Sequence, residues 1–184
     1  MESNSIGNIQ LIIGPMYSGK STELIRRLKR YKIAKKKIIL FKHTKDDRFE
    51  INNVCTHDKE KLEAFNFESL KLIPNDLLEF VDVIGIDEGQ FFSDIVEFSD
   101  DMANKGKIII ISALNGSFKK EPFEVIANLI PIVDEILNLS AVCMICGKDA
   151  HFSKRITDEN ETVLIGGLDK YISVCRNCFL KKLK

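Results

Sequence analysis

The sequence predicts an α/β protein with a parallel sheet covered by helices on both faces, and three observations lead to this prediction. Runs of apolar and β-branched residues alternate with stretches of helical periodicity along the chain. The runs are almost continuously apolar, which is typical of strands buried on both faces. A glycine-rich segment, residues 14–21, follows the first run directly, as expected at the edge of a parallel sheet where ligands bind.

The elements are predicted in a regular order. The predicted strands are Ile9–Ile13, Ile38–Phe41, Val81–Ile86 and Ile108–Ile111, followed by a further apolar segment over Ile132–Leu139. The predicted helices are Thr22–Tyr31, part of Phe67–Phe80, Asp94–Asn104 and Val125–Leu129. The polar segment Thr44–Asp58 predicts a loop region. Cysteines cluster after Ala141, so we predict one domain over residues 1–140 and a second, small domain over residues 141–184.

The composition limits the classes of function. The chain has 184 residues, of which 45% are hydrophobic, enough for one packed domain with a small appendage. Lys and Arg together number 27, as do Asp and Glu, so the net charge of +0 argues against polyanion binding as the main function. The sequence has no apolar run of about 18 residues that could form a transmembrane helix. The polar start Met1–Gly7 lacks the features of a signal peptide, so we expect a cytoplasmic protein without a membrane partner.

The glycine-rich segment has the pattern of a phosphate-binding loop. It reads G-x-x-x-x-G-K-S, with the residues Gly14-Pro15-Met16-Tyr17-Ser18-Gly19-Lys20-Ser21. Gly14 and Gly19 let backbone N–H groups curl around phosphate oxygens, and the helix start adds partial positive charge. Lys20 can reach the β- and γ-phosphates, while the Ser21 hydroxyl can ligate magnesium. A glycine-rich turn that binds nothing is the weaker alternative, and we predict a nucleoside triphosphate site.

Two carboxylates end the third predicted strand. Its apolar run leads directly into Asp87-Glu88-Gly89-Gln90-Phe91-Phe92. In phosphate-loop enzymes a strand-end aspartate holds the magnesium shell, a role that fits Asp87. Glu88 can take a proton from an attacking hydroxyl or water. A pair of solvated acids is the less favoured alternative beside a phosphate-binding loop, so we predict a phosphoryl-transfer site.

Aromatic residues lie close to the proposed base in the sequence. Phe91 and Phe92 follow the carboxylates directly, and Phe118 and Phe123 follow the fourth predicted strand. Rings near a base indicate a planar acceptor such as a nucleobase, which stacking would hold. For any single phenylalanine, packing in the hydrophobic core is the better-supported interpretation.

Two C-x-x-C pairs predict a metal site. They are Cys143-Met144-Ile145-Cys146 and Cys175-Arg176-Asn177-Cys178. Together they can complete a tetrahedral four-sulfur site that leaves no ligand position for substrate, so the expected zinc is structural. The spacing exceeds that of an ordinary zinc ribbon, so we expect a long loop between the pairs. Paired disulfides or a redox dithiol are weaker alternatives, and Cys55 is predicted to be a free thiol.

In this order the motifs resemble those of the type II thymidine kinases, the zinc-containing, cytosolic-type family. The phosphate-binding loop and the acidic strand end are similar to the family's first two signatures. Leu114–Phe123 resembles its L-D-G-T-F-x-x-x-P-F motif, and Ile165–Tyr171 resembles its substrate-loop signature. The resemblance extends from about Ile9 to Phe179. It implies a P-loop, RecA-like parallel sheet, followed by a zinc-ribbon-like domain that carries a nucleoside-binding loop.

The resemblance implies transfer of the γ-phosphate of ATP, with Mg²⁺, to the 5′-hydroxyl of thymidine, giving dTMP in nucleotide salvage; deoxyuridine is a second acceptor. Glu88 and Lys20 are then the catalytic residues, with Ser21 and Asp87 on the magnesium side. The residues placed on ATP are Gly14, Pro15, Met16, Tyr17, Ser18, Gly19, Lys20, Ser21 and, through a D-x-R element, Asp46 and Arg48. The residues placed around the nucleoside are Met16, Phe91, Leu114, Phe118, Phe123, Ser153, Gly166, Gly167 and Tyr171.

The resemblance also implies a homotetramer that thymidine triphosphate (dTTP) inhibits. Two positions depart from the family pattern: Asn115 replaces the usual aspartate, and Ser153 stands where threonine is common. A different function, a P-loop ATPase whose zinc ribbon grips a nucleic-acid strand, is the alternative. That function calls for a basic ribbon, whereas acidic residues are interspersed among the basic ones over residues 148–183, so we expect no nucleic-acid partner.

Overall fold

The structure of the chain, a computed structural model, describes residues 6–45, 53–55, 61–157 and 170–181. Its strands are Asn8–Gly14 (β1), Ile38–His43 (β2), Asn53–Cys55 (β3), Lys61–Glu63 (β4), Phe65–Phe67 (β5), Val83–Asp87 (β6), Ile108–Leu114 (β7), Glu135–Asn138 (β8), Ala141–Val142 (β9), Asp149–Ala150 (β10), Phe152–Arg155 (β11) and Tyr171–Val174 (β12). Its α-helices are Lys20–Ile33 (α1), Asn75–Glu79 (α2), Ile95–Asn104 (α3), Glu124–Leu129 (α4) and Arg176–Leu180 (α5). Short 3₁₀ turns cover Leu70–Leu72, Gly89–Phe91 and Ile130–Ile132.

The central sheet has six strands in the order β5-β2-β6-β7-β1-β8, and every pairing in it is parallel. The predicted parallel α/β fold is therefore confirmed. Strand β1 lies between β7 and β8, with Asn8 opposite Ile108 and Gln10 opposite Glu135. Because all strands run the same way, the ends of β1 and β6 meet at one edge of the sheet.

Each face of the sheet packs against helices through its own hydrophobic cluster. The first cluster joins the sheet to α3 and α4 and includes Leu11, Phe41, Ile86, Ile95, Ile111 and Leu129. The second joins it to α1 and includes Ile12, Leu24, Leu28, Leu40, Val83 and Ile110. Successive side chains of a strand point to opposite faces, so the consecutive isoleucines of β7 contribute to both clusters. Burial on both faces explains why these strands are almost continuously apolar.

Three short strands depart from the predicted pattern. Strand β3 pairs antiparallel with β4, so the loop prediction for Thr44–Asp58 is wrong at Asn53–Cys55. Residues 46–52 and 56–58 of that segment lie outside the described residues. Strand β5, which was not predicted, extends the sheet beside β2, with Phe65 opposite Phe41. Each of the three strands has only three residues, too few for a period to show in the sequence.

The segment after residue 140 has a small hydrophobic cluster of its own. Strand β9 pairs with β10 and β11 pairs with β12, both antiparallel. Ala141, Ala150 and Val174 are buried there together with Cys143 and Cys178. The division into domains at residue 140 stays a prediction. Among the helices that the structure describes, none has both the length and the apolar character needed to cross a membrane.

Candidate active site and metal centre

The predicted phosphate-binding loop connects the end of β1 to the start of α1 along a tight path. Tyr17 (φ 62°) and Gly19 (φ 80°) both adopt the left-handed conformation just before the helix. At Gly14 a Cβ atom would lie 2.6 Å from Ser18 Oγ and 2.7 Å from the carbonyl oxygen of Leu139, so only glycine fits. The first backbone N–H groups of a helix have no acceptor within the helix, so the start of α1 directly after this loop offers donors to an anion.

Lys20 is buried against this loop. Its side chain is 8% exposed, and Nζ donates a hydrogen bond to the carbonyl oxygen of Pro15 at 2.7 Å. The hydroxyl of Ser18 donates to the same oxygen at 2.8 Å. These bonds keep the ammonium group inside the loop. A phosphate bound there would meet this charged donor as well as the backbone N–H groups.

Asp87 lies beside the loop, at the end of β6. Its Oδ1 accepts a hydrogen bond from Ser21 Oγ at 3.0 Å and a short one from Ser112 Oγ of β7. The structure thus brings together the predicted magnesium-side residues. Ser112 was missed, although a lone hydroxyl in the apolar run of β7 was a signal. Lys42 of β2, 2% exposed and in register with Asp87, was also missed.

Glu88 follows in a left-handed turn, with φ 52° and ψ 45°. Its Oε2 accepts a hydrogen bond from Gln90 Nε2 at 2.5 Å. The Oε1 atom of Gln90 in turn accepts from the backbone N–H of Leu114, at the end of β7, at 3.1 Å. Left-handed backbone costs a non-glycine residue about 1–3 kcal/mol, and such residues cluster at active sites, which is consistent with the predicted role of Glu88 as the base.

The aromatic residues near the carboxylates divide into two groups. Phe92 is fully buried in the first cluster, so the core interpretation is correct for it. The ring of His43 lies 4.9 Å from that of Phe92 and 5.9 Å from that of Phe91. Burial lowers the pKa of His43, which is therefore neutral at neutral pH. Phe91 and Phe123 are only half-buried and stay predicted nucleoside contacts.

The C-terminal segment contacts the phosphate-binding loop directly. Ser153 Oγ accepts a hydrogen bond from the N–H of Met16 at 2.9 Å, in a buried position. Asn115 Nδ2 donates to the carbonyl oxygen of His151 at 3.2 Å, and the N–H of Asn115 donates to that of Gly14 at 3.2 Å. An aspartate at position 115 has no side-chain donor for the first of these bonds. The asparagine therefore supports a contact that the aspartate common in type II thymidine kinases could not make.

Arg155 joins two of the predicted nucleoside residues. Its guanidinium carbon lies 3.9 Å from the ring centre of Phe118 and 5.2 Å from that of Tyr171. Its Nη2 donates a hydrogen bond to the Tyr171 hydroxyl at 2.5 Å. Strands β11 and β12 place Arg155 and Tyr171 opposite each other. Arg155 was missed, because it belongs to no motif.

The four paired cysteines form one cluster. Every Sγ atom of the set lies within 4.8 Å of the other three, in Cys143, Cys146, Cys175 and Cys178. Burial acts to raise the pKa of the Cys143 thiol, but hydrogen bonds from neighbouring groups, mainly backbone N–H groups, outweigh it and lower the pKa to about 6. A cluster of four thiols at this separation can hold one metal ion.

Four predicted site residues lie outside the described residues: Asp46, Arg48, Gly166 and Gly167. The predicted site residues that the structure describes lie in two groups. The phosphate-side residues lie at the ends of β1 and β6, and part of the nucleoside set lies on β11 and β12. The bond between Met16 and Ser153 joins the two places.

Comparisons with known proteins agree with this arrangement. The sequence model described as thymidine kinase matches residues 7–179. The thymidine kinase of Vaccinia virus (strain Western Reserve) is 53% identical over 174 residues, which cover 95% of this chain and 97% of the viral protein. Thymidine kinase 1 of Dictyostelium discoideum is 50% identical, over 94% of this chain and 78% of its own. The human cytosolic thymidine kinase is 49% identical, over 98% of this chain and 76% of its own. The chain belongs to the thymidine kinase family.

Proposed function

We propose that the chain is an ATP-dependent thymidine kinase that transfers the γ-phosphate of ATP to the 5′-hydroxyl of thymidine and forms dTMP for nucleotide salvage. The observation that carries this proposal is the hydrogen bond between Ser21 and Asp87, with Glu88 next in the chain. It joins a triphosphate-binding loop to the proposed magnesium-side carboxylate, directly beside the residue that can accept a proton, at one edge of one sheet. Membership of the family supports thymidine as the acceptor.

The residues at this edge fit Mg²⁺. Magnesium prefers oxygen ligands, and Ser21 and Asp87 offer a hydroxyl and a carboxylate oxygen 3.0 Å apart. When bound, the ion would neutralise charge on the β- and γ-phosphates. Ser112 fixes the Asp87 carboxylate by donating to it. Lys20 and the N–H groups of the loop bind phosphate oxygens and so orient the γ-phosphate.

Glu88 acts as the general base in this proposal. Its carboxylate accepts the proton of the 5′-hydroxyl as the bond from O5′ to the γ-phosphorus forms. The bond from that phosphorus to the β–γ bridging oxygen breaks, and ADP leaves with the electron pair. Because the transfer needs mainly positioning and charge neutralisation, a base, a lysine and a magnesium site are a sufficient set.

We assign a structural zinc ion to the four cysteines. Zn–S bonds of about 2.3 Å in a tetrahedron place the sulfur atoms about 3.8 Å apart. The Sγ atoms of Cys146 and Cys175 are 3.7 Å apart, and all four sulfur atoms lie within 4.8 Å of one another, which supports a zinc ion between them. All four ligand positions of the proposed ion would be occupied by sulfur atoms, so none is left for substrate. The ion would hold together the two ends of the segment that contains the predicted nucleoside loop.

A nucleoside panel tests the proposed function. Purified protein is incubated with radiolabelled ATP, Mg²⁺ and each of thymidine, deoxyuridine, deoxycytidine, deoxyadenosine and deoxyguanosine. We expect thymidine to be the best acceptor and deoxyuridine the second. Failure to phosphorylate any nucleoside, together with ATP hydrolysis that DNA stimulates, would favour the nucleic-acid-dependent ATPase instead.

Phe123→Ala is expected to raise the KM for thymidine about ten- to a hundredfold, with little effect on the KM for ATP. The ring is half-buried at the start of α4, and losing one stacking or packing contact of this kind costs roughly 1–3 kcal/mol. Steady-state kinetics with each substrate varied separately measures both constants. Phe80→Ala, at a surface phenylalanine that is 65% exposed, is the matched control. A normal KM for thymidine with a raised KM for ATP would show that Phe123 is misassigned.

We also propose that dTTP inhibits the enzyme by occupying both substrate sites. Its base would fill the nucleoside pocket while its phosphates reach the loop at Gly14–Ser21. The bond between Met16 and Ser153 supports this geometry, because it makes the two predicted sites adjacent. Inhibition is expected to weaken when either ATP or thymidine is raised. Inhibition that neither substrate relieves would indicate a separate regulatory site.

Assembly as a homotetramer and a cytoplasmic location are proposals that rest on the family alone. The human relative carries the word cytosolic in its name, which supports the second of them.

A further inference from the structure

We propose that two cation–π contacts to the C-terminal segment, made by Lys120 and Arg155, position the loop of residues 115–123 for the nucleoside. The inference rests on the proposed function, in which Phe118 and Phe123 of this loop contact the nucleoside. Lys120 and Arg155 are then positioning residues, because each acts on the substrate through an aromatic ring rather than by binding it.

The loop, which connects β7 to α4, is a compact turn held by its own hydrogen bonds. The N–H of Ser117 donates to the carbonyl oxygen of Glu121 at 2.9 Å, and the N–H of Lys120 donates to that of Ser117 at 2.9 Å. Ser117 Oγ accepts from the N–H groups of Lys119 and Glu121, both at 3.2 Å. Lys120 itself has left-handed backbone, with φ 64°. A turn fixed internally in this way responds to its outside contacts as one body.

The first contact places a cation of the C-terminal segment on a ring of the loop. The guanidinium carbon of Arg155 lies 3.9 Å from the ring centre of Phe118. Arg155 is 9% exposed, and its Nη2 donates to the Tyr171 hydroxyl, so β11 and β12 hold the guanidinium in place. A cation over the face of a ring is attracted most strongly where little water competes for it. Phe118 is therefore drawn to a fixed point of the C-terminal segment.

The second contact reverses these roles. Lys120 Nζ of the loop lies 4.2 Å from the ring centre of Phe179 and 5.4 Å from that of Phe152. The two rings pack edge to face beside the cysteine cluster, with their centres 5.7 Å apart. Lys154 of β11 donates to the carbonyl oxygen of Phe179 at 2.9 Å, which ties α5 and this ring to β11. Each side of the junction thus supplies a cation to a ring of the other side.

The two contacts determine where the predicted nucleoside residues of the loop lie. Phe118 takes part in the first contact, and Phe123 ends the same loop. Without the contacts the turn would persist but would lose its fixed direction. The nucleoside would then have to order both rings when it binds, and ordering side chains and loops on binding costs affinity. Neither contact involves the phosphate-binding loop, so the affinity for ATP should change little.

Lys120→Met tests the second contact, because methionine fills similar space without the charge. Lys120 is exposed, and an exposed contact of this kind is worth about two- to fivefold in an equilibrium constant. We expect the KM for thymidine to rise by that factor, while kcat and the KM for ATP stay unchanged. The N–H groups of residues 115–123 should also exchange with deuterium faster. Lys120→Arg keeps the cation and should restore the parent's values.

Lys37→Met is the matched control. Lys37 Nζ lies 5.2 Å over the ring of Phe80, in a cation–π pair whose two residues are both exposed. This lysine directly precedes β2, whereas the proposed active site lies at the other end of the parallel strands. We expect parent kinetics and parent exchange rates for this variant.

Arg155→Lys tests the first contact, because lysine keeps the charge but not the planar group that lies on Phe118. The contact is buried, so we expect the KM for thymidine to rise about tenfold. The same change should cost less in a Phe118→Leu background, where the ring is absent. Melting temperatures show whether each variant is folded. If Arg155→Lys does not fold, the Lys120 variants decide the question.

The outcomes are distinct. A raised KM for thymidine in Lys120→Met, restored in Lys120→Arg and absent in Lys37→Met, supports the proposal. Parent kinetics with parent exchange rates in Lys120→Met would overturn it, and so would an equal rise in the KM values for thymidine and ATP. Failure of the proposed function shows in the parent protein, which would not phosphorylate thymidine. Deuterium exchange in Lys120→Met would still report whether the contact holds the loop.

Discussion

Glu88→Gln is expected to lower kcat about 10²–10⁴-fold while ATP binding stays nearly unchanged. Removing a general base costs a factor of this size because the acceptor proton then has no partner in the transition state. The glutamine has the shape of the glutamate, and its carbonyl oxygen can still accept from Gln90, so the left-handed turn should persist. Steady-state kinetics gives kcat, and calorimetric titration gives the affinity for ATP.

Glu97→Gln is the control for this substitution. Glu97 lies on α3 with a side chain that is 73% exposed, paired with Lys71 at 2.6 Å, and exposed pairs contribute little to stability. We expect wild-type kinetics for it. Near wild-type turnover by Glu88→Gln would remove Glu88 from the mechanism. A loss of ATP affinity as large as the loss of kcat would instead place this residue on the nucleotide.

Cys178→Ser is expected to release the metal and to weaken both substrate sites. Structural zinc contributes about 10–16 kcal/mol of binding free energy in small zinc domains, and that energy is also folding energy. The sulfur of Cys178 is buried within a cluster of few apolar residues, which cannot replace it. The KM for thymidine should therefore rise together with a loss of zinc and a lower melting temperature.

Cys178→Ser should also raise the KM for ATP, although no cysteine of the cluster lies on the phosphate-binding loop. Ser153 accepts the N–H of Met16, and a bond of this kind contributes about 1 kcal/mol, or roughly fivefold in KM. Elemental analysis, calorimetry and kinetics measure the three effects. Cys55→Ser, at the cysteine outside the two pairs, should change none of them. Freshly purified parent protein that is active but free of zinc would contradict the assignment.

Local patterns predicted the parts of the fold that depend on a few consecutive residues. The apolar run of β7 identified a buried strand, and the spacing of Gly14, Gly19 and Lys20 identified the loop between a strand and a helix. The C-x-x-C pairs identified the cysteine cluster. Each of these signals is carried by residues close in sequence, so it can be recognised without knowledge of the tertiary structure.

The contacts that were missed depend on which strands are neighbours. Ser112 meets Asp87 only because β6 lies beside β7, and Gln90 reaches Leu114 for the same reason. Arg155 meets Tyr171 through the pairing of β11 with β12. The order of strands in a sheet is a long-range property that periodicity does not encode. Strands of three residues, such as β5, fall below the length at which a pattern can be recognised.

The position of β1 between β7 and β8 has a consequence for biosynthesis. This strand leaves the ribosome well before its partners, because both of them come from the second half of the chain. Until β7 has emerged, the apolar strand β1 has no strand to pair with. The phosphate-binding loop that follows β1 is then not held in its native position. Parallel pairings between such distant segments form slowly and leave apolar surface open to aggregation meanwhile. Nascent chains that stop before Ile108 should thus depend on chaperones and be unable to bind nucleotide.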